Sequence, residues 1–377
     1  MTATFRKISD EKDLRGKKVP LRLDLNVPIE NGAVRDDFRI RRSLPTLRML
    51  RERGAKTIVI SHIESGPDAS LAAIASYISK SVEINAFVPD RNAAQAAVDA
   101  MDDGDIIMLE NLRRDPGEKD NDPAFAAGLA RLADCYVNDA FAVSHREHAS
   151  IVSVPKLLPS FAGPLFAEEI EQLSKAFNPP HPFLFIIGGA KFDTKLPLIE
   201  RFLSIADRVF VGGALANDIY KDKGYEVGVS VVSKNPVDLS AIEKNPKLLV
   251  PADAVAVGPS GKAMKSADQV SADEKILDSG PQAARDLSNI LKTAKFVVWN
   301  GPLGEYEKGF VQGTEDLAKA IAESGAASII GGGDTIAVVA KMGILEKFTF
   351  ASTGGGAMIE FLAKGTLPGI EALKFAH

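Results

Sequence analysis

The sequence predicts an α/β protein of two lobes, each with a parallel sheet covered by helices. Its 377 residues exceed the size at which one hydrophobic core keeps growing, so two domains are expected. Short runs rich in Val and Ile alternate with amphipathic segments, which is the pattern of parallel strands linked by helices. A strongly helical stretch near mid-chain separates two halves: most candidate anion-binding arginines precede it, and nearly all glycine clusters follow it.

The first half contains five predicted strands and the helices between them. The apolar runs that predict strands cover residues 19–26, 57–62, 84–89, 105–112 and 134–139. The segments that predict helices extend to residue 54 and then cover residues 71–79, 93–101 and 123–132. Ligands of such sheets bind beyond the carboxyl ends of the strands, so the polar residues at those ends are the candidate site residues.

The mid-chain stretch predicts the helix that joins the lobes. Apolar residues recur there at spacings of three and four, and Pro164 suits a first helical turn. Pro179 and Pro180 end the helix, because proline cannot donate to the hydrogen-bond ladder. The expected organisation is an N-terminal lobe, an interdomain helix and a C-terminal lobe, over residues 1–160, 161–180 and 181–362.

The composition excludes several classes of protein. A net charge of -5 and a pI near 5.7 give no general attraction to nucleic acid or anionic lipid. The single cysteine, Cys135, cannot form an intrachain disulfide, which suits a reducing compartment, so the cytoplasm is expected. Cys135 itself is expected in a buried strand. No apolar run is long enough to span a bilayer, so no membrane partner is expected. His145 and His148 lack an accompanying cysteine pair or His-Glu-x-x-His motif, which disfavours zinc.

Three polar residues end the first predicted strand. Arg22, Asp24 and Asn26 would share one face, because side chains alternate along a strand. Asp24 and Asn26 could hydrogen-bond to a small polyhydroxy acid. Alternatively, they could simply open the following turn.

Later segments bring a cation to the same edge of the predicted sheet. Arg39 lies at a predicted helix start, and three more cations follow later strands: His62, Arg113 and Arg146. Together they would form a site for carboxylate or phosphate, because arginine binds both groups through its fork of N–H donors.

Four glycine clusters follow apolar strands and precede helices in the second half. They begin at Gly188, Gly212, Gly331 and Gly354. Glycines at such turns let backbone N–H groups approach an anion, and the helix N-terminus adds partial positive charge. One cluster commonly reflects tight packing alone, but four in one lobe favour phosphate binding. Neither a Walker loop nor a Gly-x-Gly-x-x-Gly fingerprint is present.

Charged and polar residues near these turns are candidates for a nucleotide site. Lys191 and Lys195 supply full positive charges after the first cluster. Asp334 is a candidate ligand for Mg²⁺, which prefers one or two carboxylates together with nucleotide phosphates, and it could equally cap the following helix. The loop after residue 299 adds candidates for a nucleoside slot: Asn300, Pro302 and Glu307.

Together these motifs resemble the signatures of phosphoglycerate kinase, in order along the whole chain. They are the segments 22–28, 109–113, 137–141, 145–146, 188–191, 277–281, 299–302, 331–335 and 352–356. The resemblance implies two Rossmann-like, three-layer α/β/α lobes with parallel sheets and a cleft between them. It places 3-phosphoglycerate on the N-terminal lobe and ADP or ATP with Mg²⁺ on the C-terminal lobe. It also implies that the tail, residues 363–377, packs on the N-terminal lobe.

The resemblance gives each candidate a role. The substrate-binding residues that it implies are Asp24, Asn26, Arg39, His62, Arg113 and Arg146. The expected nucleotide-binding residues are Lys191, Lys195, Asn300, Pro302, Glu307, Gly332, Gly333, Asp334 and Thr335, with Asp334 as the metal ligand. The expected catalytic residues, which would meet the charge of the transferring phosphoryl group, are Arg39, Lys195, Gly354, Gly355 and Gly356.

Three segments depart from the family pattern. Where the family reads Ser-His-Leu-Gly-Arg-Pro, this chain gains an acidic residue, Glu64, and has a serine in place of the arginine. That change predicts weaker substrate affinity unless Arg22 or Arg114 takes over the missing role. Residues 141–144 read Phe-Ala-Val-Ser instead of Phe-Gly-Thr-Ala, and Thr194 stands where many members carry Asp.

The function implied by the resemblance is reversible phosphoryl transfer from 1,3-bisphosphoglycerate to ADP, by a monomeric phosphotransferase of glycolysis. The alternative is a non-catalytic nucleotide- or metabolite-binding protein on the same fold, suggested by the altered segment around Glu64. A nicotinamide-dependent dehydrogenase is disfavoured because the dinucleotide fingerprint is missing.

Overall fold

A computed structural model describes residues 5–64, 69–190, 192–234 and 237–374 of the chain, without the side chain of residue 193. The chain divides into two compact units. The first unit contains the described residues up to Glu171 together with those from Lys364 onward. The second unit is Gln172–Ala363.

A six-stranded parallel sheet forms the centre of the first unit. Its strands are β1 (Lys18–Arg22), β4 (Lys56–Ile60), β5 (Ala86–Val88), β6 (Ile106–Leu109), β7 (Tyr136–Asn138) and β8 (Ser160–Ala162), in the order β5-β6-β4-β1-β7-β8. Two further strands, β2 (Ile29–Glu30) and β3 (Ala33–Val34), pair as a short antiparallel hairpin. The chain moves outward from β1 in one direction and then returns to its other side, so β1 lies at the switch point where such sheets bind ligands.

Helices cover both faces of this sheet. They are α1 (Phe38–Glu52), α2 (Ala72–Ile78), α3 (Ala94–Asp99), α4 (Pro116–Lys119), α5 (Pro123–Ala130) and α6 (Pro164–Ser174). Successive strand residues point to opposite faces, so Val59 packs with residues of α1 and α2, whereas Ile58 packs with residues of α3 and α5. The result is the three-layer architecture that the sequence predicted.

The second unit repeats the architecture. Its parallel sheet contains β9 (Phe183–Ile187), β10 (Arg208–Val211), β11 (Leu248–Leu249), β15 (Phe296–Asn300), β16 (Ala327–Gly331) and β17 (Phe350–Ala351), in the order β11-β10-β9-β15-β16-β17. Its helices are α7 (Leu196–Ile205), α8 (Leu215–Asp222), α9 (Pro281–Leu291), α10 (Gln312–Ser324), α11 (Gly333–Lys341) and α12 (Gly356–Lys364). The Phe202 ring of α7 stacks on Phe185 of β9, with 4.1 Å between centroids.

One part of the second unit was not predicted. An antiparallel sheet forms from β12 (Asp253–Gly258), β13 (Gly261–Ser266) and β14 (Lys275–Ser279), in the order β13-β12-β14. The exposed strand β13 alternates charged and small residues, so it lacks the apolar run that marked the other strands.

The first strand corrects the sequence prediction. We expected it to extend to residue 26, but β1 ends at Arg22, so Asp24 and Asn26 lie in the following loop. The prediction that these two residues share a strand face with Arg22 is therefore wrong. Leu23 and Leu25 are buried in the loop, which explains why its sequence has the alternation of a strand.

The mid-chain helix is shorter than the segment predicted for it. Within residues 161–180, α6 ends at Ser174, and a 3₁₀ turn over Lys175–Phe177 follows it. The division between the two units falls inside α6, between Glu171 and Gln172.

The last helix belongs to the first unit. This helix, α13 (Pro368–Lys374), carries Gly369, whose N–H donates to the Ser144 carbonyl at 2.9 Å. Its Ala372 joins a small apolar cluster with Ile151 and Val152. None of the helices in the described part of the chain combines the length and the apolar character needed to cross a bilayer.

Candidate active site

The carboxyl edge of the first sheet gathers the polar residues that the sequence indicated. Because the strands are parallel, their carboxyl ends meet at one edge: β1 ends at Arg22, β4 ends just before Ser61 and His62, and β6 ends just before the turn that contains Arg113. Arg39 lies in the first turn of α1. Its side chain reaches the loop that follows β1.

Arg39 organises that loop. Its Nη1 lies 3.0 Å from Asp24 Oδ2 and donates to the Asn26 carbonyl at 2.9 Å. The Asn26 N–H in turn donates to Asp24 Oδ1 at 3.1 Å. The Asp24 side chain is 9% exposed and the Arg39 side chain 29%, so the carboxylate is held in place while the guanidinium partly faces solvent.

Arg22 is buried at the end of β1, and each of its three side-chain nitrogens has a protein partner. Nε donates to Ser150 Oγ at 2.8 Å, Nη1 donates to the Leu23 carbonyl at 2.6 Å, and Nη2 lies 3.1 Å from His62 Nδ1. Glu118, also buried, lies 3.7 Å from Nη2. With no exposed surface, Arg22 is not positioned to replace the arginine that is missing near Glu64.

The contact with Arg22 fixes the protonation of His62. Arginine can only donate, so Nδ1 of His62 must accept, and the ring proton lies on Nε2. Burial, followed by the positive charges of Arg22, Arg113 and Arg39, lowers the pKa of His62 well below its usual value. His62 is therefore a neutral N–H donor at neutral pH.

Arg113 is paired with the acidic residue that distinguishes this chain. Its Nη1 contacts Glu64 Oε1, and its backbone N–H donates to Asn111 Oδ1 at 3.1 Å. The neighbouring Arg114 pairs with Glu110 at 3.0 Å.

Arg146 lies near His148 but makes no hydrogen bond or ion pair with a described residue of the cluster. Arg146 is exposed, and its charge contributes to lowering the pKa of His148, as do Arg113 and Arg22. Burial is the largest cause and brings that pKa to about 4, although Glu118 at 3.9 Å opposes the shift. His148 is thus neutral at neutral pH, and its contact with Glu118 is not an ion pair there.

The structure therefore brings together Asp24, Asn26, Arg39, His62 and Arg113, with Arg146 at the border. Sequence reasoning missed the buried partners Glu118 and Ser150. Glu118 lies within α4, the short helix that begins at Pro116, and not at a strand end, so no local pattern indicated that it faces Arg22.

In the second unit, the chain turns sharply after β9. Lys195 precedes α7 and is only 9% exposed, and its Nζ donates to the Gly188 carbonyl at 2.6 Å. The Gly189 N–H donates to the Pro302 carbonyl at 2.9 Å. Lys191, predicted for the same site, lies outside the described residues.

Glycines that follow β9, β10 and β15 allow backbone segments to pack directly against each other. A Cβ at Gly188 would lie 2.2 Å from the Pro302 carbonyl oxygen, and one at Gly301 would lie 2.4 Å from the Gly188 oxygen. A Cβ at Gly213 would lie 2.6 Å from the Gly189 nitrogen. These are backbone contacts, so side-chain rearrangement cannot relieve them.

A cavity of about 280 Å³ opens beside this packed backbone. It is lined by residues at the ends of β9, β10, β14 and β15, and among the predicted nucleotide-site residues by Pro302, Glu307 and Asp334. Its size is near the lower end for small-molecule pockets, which is about 300 Å³. The lining of glycine, proline and a few polar groups suits a nucleoside.

The remaining predicted nucleotide residues lie around the ends of β15 and β16. Asn300 is buried, and Thr335 Oγ1 accepts from the Gly301 N–H at 3.1 Å. Gly332, with a φ of 96°, precedes α11, which begins at Gly333. The Asp334 side chain, in the first turn of α11, is exposed and makes no hydrogen bond or ion pair with any other described residue.

The expected catalytic glycines, Gly354 to Gly356, lie after β17 at the same edge of the second sheet. The Gly354 N–H already donates to Ser352 Oγ at 3.0 Å, and α12 begins at Gly356. Among the described residues these three glycines do not line the cavity.

Sequence reasoning missed other residues that line the cavity, including Asn217, Lys275, Asp278 and Tyr306. Asp278 is buried, which raises its pKa to about 6, even though it accepts from the N–H groups of Ser279 and Gly313. The motif at residues 277–281 had been recognised, and it was the available signal for this strand end.

No group of three or more His, Cys, Asp or Glu side chains in the described ranges is arranged to hold a metal ion. Mg²⁺ bound with a nucleotide needs only one or two protein carboxylates, because phosphates and water complete its coordination. The unpaired Asp334 carboxylate at the cavity fits that requirement.

Each unit thus has the doubly wound α/β architecture, with polar groups at the switch point where this class of protein binds nucleotides and phosphorylated metabolites. The family model for phosphoglycerate kinase matches residues 8–365. The chain belongs to the phosphoglycerate kinase family.

Individual relatives agree over nearly the whole chain. The phosphoglycerate kinase of Pelotomaculum thermopropionicum is 41% identical over 382 residues, covering 96% of this chain and 97% of the relative. That of Moorella thermoacetica is 42% identical over 386 residues with the same coverage. The solved structure of phosphoglycerate kinase from Coxiella burnetii has a TM-score of 0.83 at 36% identity, covering 98% of this chain and 99% of that chain. The Pyrococcus horikoshii enzyme structure has a TM-score of 0.87 at 30% identity, with the same coverage.

Proposed function

We propose that this protein is an ATP-dependent phosphoglycerate kinase of glycolysis, which reversibly moves a phosphoryl group from 1,3-bisphosphoglycerate to ADP. The observation that carries the proposal is the presence, in one chain of this family, of an arginine–histidine cluster at one sheet edge and a glycine-walled cavity at the other. The alternative, a non-catalytic binding protein, is not favoured by a family match that spans almost the whole chain.

We assign the three-carbon acid to the first unit, in the lobe expected over residues 1–160. Arg39, Arg113 and Arg146 would bind its carboxylate and phosphate, because guanidinium groups match both anions. His62, held neutral by burial and by Arg22, would donate its Nε2–H to a substrate oxygen. Asp24 and Asn26 would hydrogen-bond to the substrate hydroxyl. The described distances support a preformed cluster for these groups.

We assign the nucleotide to the second unit, in the lobe expected over residues 181–362. The nucleoside would occupy the cavity beside Pro302 and Glu307, with the phosphates directed toward the α11 N-terminus at Gly333. Lys191 and Lys195 would neutralise phosphate charge. Asn300, Gly332, Gly333 and Thr335 would complete the nucleotide-binding residues at the adjoining turn.

Asp334 is the residue that would hold Mg²⁺ together with the nucleotide phosphates. The ion would neutralise charge on those phosphates. The carboxylate is exposed, lines the cavity and has no partner among the described residues, so binding a cation would break no existing ion pair.

The chemistry needs positioned positive charge more than a nucleophilic side chain. In the direction of ATP use, the already ionised carboxylate of 3-phosphoglycerate attacks the γ-phosphorus and ADP leaves, so no general base is required. The loose transition state spreads negative charge over the equatorial oxygens. We propose that Arg39, Lys195 and the N–H groups of Gly354 to Gly356 meet that charge once the two bound substrates are brought into contact. Exclusion of water then protects the acyl phosphate from hydrolysis.

The remaining expectations are part of the same proposal. We expect a monomer that acts in the cytoplasm on these small molecules, with no nucleic-acid or membrane partner. The C-terminal tail, residues 363–377, is expected to belong to the lobe that binds the acid.

The direct test is ATP formation by the purified protein supplied with Mg²⁺, ADP and 1,3-bisphosphoglycerate. We expect ATP to accumulate only when all three are present. No ATP above background would overturn the proposed activity. Calorimetric binding of both substrates without turnover would instead support the non-catalytic alternative.

A further inference from the structure

Arg113 has the environment of an anion-binding residue. Its side chain is only 9% exposed, and its Nε is buried without a hydrogen-bond partner among the described residues. Burial lowers the pKa of Arg113, whereas the nearby Glu64 charge raises it. A buried guanidinium with an unsatisfied donor is stabilised by any carboxylate or phosphate that can reach it.

The group that reaches it in this structure is Glu64. The Glu64 carboxylate contacts Arg113 Nη1. Carboxylate is one of the two acidic groups of the proposed substrate. Glu64 therefore contributes, from the protein itself, the same chemical group that Arg113 would bind in the acid.

The backbone around Glu64 is held opposite Arg113. The Glu64 N–H donates to Asn26 Oδ1 at 3.0 Å. Asn111 accepts from the Ile63 N–H at 3.3 Å and donates to the Ile63 carbonyl at 3.0 Å, and the same Asn111 Oδ1 accepts from the Arg113 N–H. One side chain thus ties together the segments that carry Glu64 and Arg113.

Two ion pairs at this edge differ in which partner is the more buried. In the Asp24–Arg39 pair the carboxylate is the more buried partner. In the Glu64–Arg113 pair the order is reversed, because the Glu64 side chain is 57% exposed while the Arg113 side chain is 9% exposed. An exposed carboxylate can turn into water at small cost, so Glu64 can be exchanged for another anion.

We propose that Glu64 sets the substrate affinity of this edge: its carboxylate occupies the anion site at Arg113 until the acid substrate displaces it. This inference rests on the proposed function and deepens it. Occupation by Glu64 lowers the apparent affinity for every anion that binds Arg113, and by the same factor, because only the fraction of molecules with Arg113 free can bind. Removing the Glu64 charge should therefore strengthen the binding of the acid and of a small inorganic anion alike.

The test is the isosteric variant Glu64→Gln, compared with wild type by calorimetry and steady-state kinetics. We expect the Kd and the KM for 3-phosphoglycerate to fall by about three- to tenfold in the variant, with kcat changed by less than about twofold. Inorganic sulfate should inhibit the variant more strongly than it inhibits wild type. Glu64 is largely exposed, so the variant is expected to fold normally.

Glu83→Gln is the matched control. It removes the same charge from the same unit and breaks the exposed Glu83–Arg51 pair, which has a distance of 2.8 Å. Any effect of net charge alone would appear equally in both variants.

Unchanged or weakened 3-phosphoglycerate binding in Glu64→Gln, relative to Glu83→Gln, would overturn the inference. Failure of the proposed function gives a different result, namely that wild type neither binds 3-phosphoglycerate nor forms ATP. In that case sulfate binding, measured by thermal shift, still decides the question. Stronger sulfate stabilisation of Glu64→Gln supports the displacement, and equal stabilisation contradicts it.

Discussion

The carboxyl edges of the two sheets lie at equivalent places in two similar architectures, yet different chemical groups form them. The first edge is made of charged side chains that already have protein partners, such as Arg39 with Asp24 and Arg113 with Glu64. The second edge is made of backbone, with Gly188, Gly213 and Gly301 packed against neighbouring carbonyl and N–H groups.

This difference determines how each site can change. A long side chain can move or exchange partners, so substitutions at the first edge should have graded effects on the affinity for the acid. Backbone atoms in contact cannot move without distorting the strands they belong to. Substitutions at the second edge should therefore cause large losses of both folding stability and nucleotide affinity.

The largest expected effect is that of Gly188→Ala. The added Cβ would lie 2.2 Å from the Pro302 oxygen and 2.7 Å from the Gly301 oxygen. We expect the free energy of unfolding to fall by about 3 kcal/mol and ADP binding to be lost. Denaturant unfolding and calorimetry measure the two effects.

Gly128→Ala provides the control for that substitution. Gly128 lies in α5, and the nearest atom to its added Cβ is Arg131 Nη2 at 3.9 Å, an ordinary contact. It should be neutral or slightly stabilising, because alanine favours helix. Equal stability of the two variants would show that the backbone packing around Gly188 is not rigid.

Lys195→Ala should have the next largest effect, and it should act on the reaction. Lys195 Nζ lies at the turn after β9 and donates to the Gly188 carbonyl. If it also meets charge that develops in the transition state, kcat should fall by about a hundredfold or more, with 3-phosphoglycerate affinity unchanged. Near-normal turnover in the kinetic assay would exclude this role.

Asp139→Asn should change how stability depends on pH. Asp139 is buried in the first unit, and burial raises its pKa from 3.8 to about 6. The folded state therefore binds this proton more tightly than the unfolded state. The resulting stabilisation is fully present below pH 3.8 and is lost as pH rises through about 6.

The expected result is that wild type gains about 2 kcal/mol relative to Asp139→Asn between about pH 7 and about pH 4. Asparagine retains an acceptor for the Phe166 N–H, and its amide can donate to Thr46 Oγ, so the two proteins should otherwise match. Denaturant unfolding across this pH range measures the difference. A difference that stays constant with pH would mean that Asp139 is not titrating.

Arg39→Lys should have the smallest of these effects. Lysine keeps the charge but cannot reach Asp24 and Asn26 with the same fork of donors. We expect kcat/KM for 3-phosphoglycerate to fall by about tenfold while the Kd for ADP changes by less than about twofold. Arg41→Lys, two residues along α1 and exposed, is the control. A matching loss of ADP affinity would contradict the assignment of Arg39 to the acid site.

Much of the fold was predictable because it depends on local patterns. Alternating apolar runs and amphipathic segments indicated the parallel strands and helices. The antiparallel strands β12 to β14 were missed because β13 is exposed and has no apolar run. The end of β1 was placed too late because buried Leu23 and Leu25 continue its alternation into the loop.

The site was predictable where a residue follows a strand end, and unpredictable where it depends on distant partners. His62 and Asp334 lie beside strand ends, as their sequence positions indicated, and their roles in binding stay predictions. The neutral state of His62 depends on burial and on Arg22, which the pairing of β1 with β4 brings next to it. The Glu64–Arg113 contact likewise joins residues that are 49 positions apart, so the sequence showed the gain of Glu64 but not its partner.

The most direct test of the difference between the two edges is hydrogen exchange of the backbone amides with each substrate added separately. We expect 3-phosphoglycerate to protect residues 23–26, 61–64 and 111–114, and ADP with Mg²⁺ to protect residues 188–190, 213–217 and 332–335. Protection of the same unit by both ligands, or of neither set of strand ends, would contradict the account.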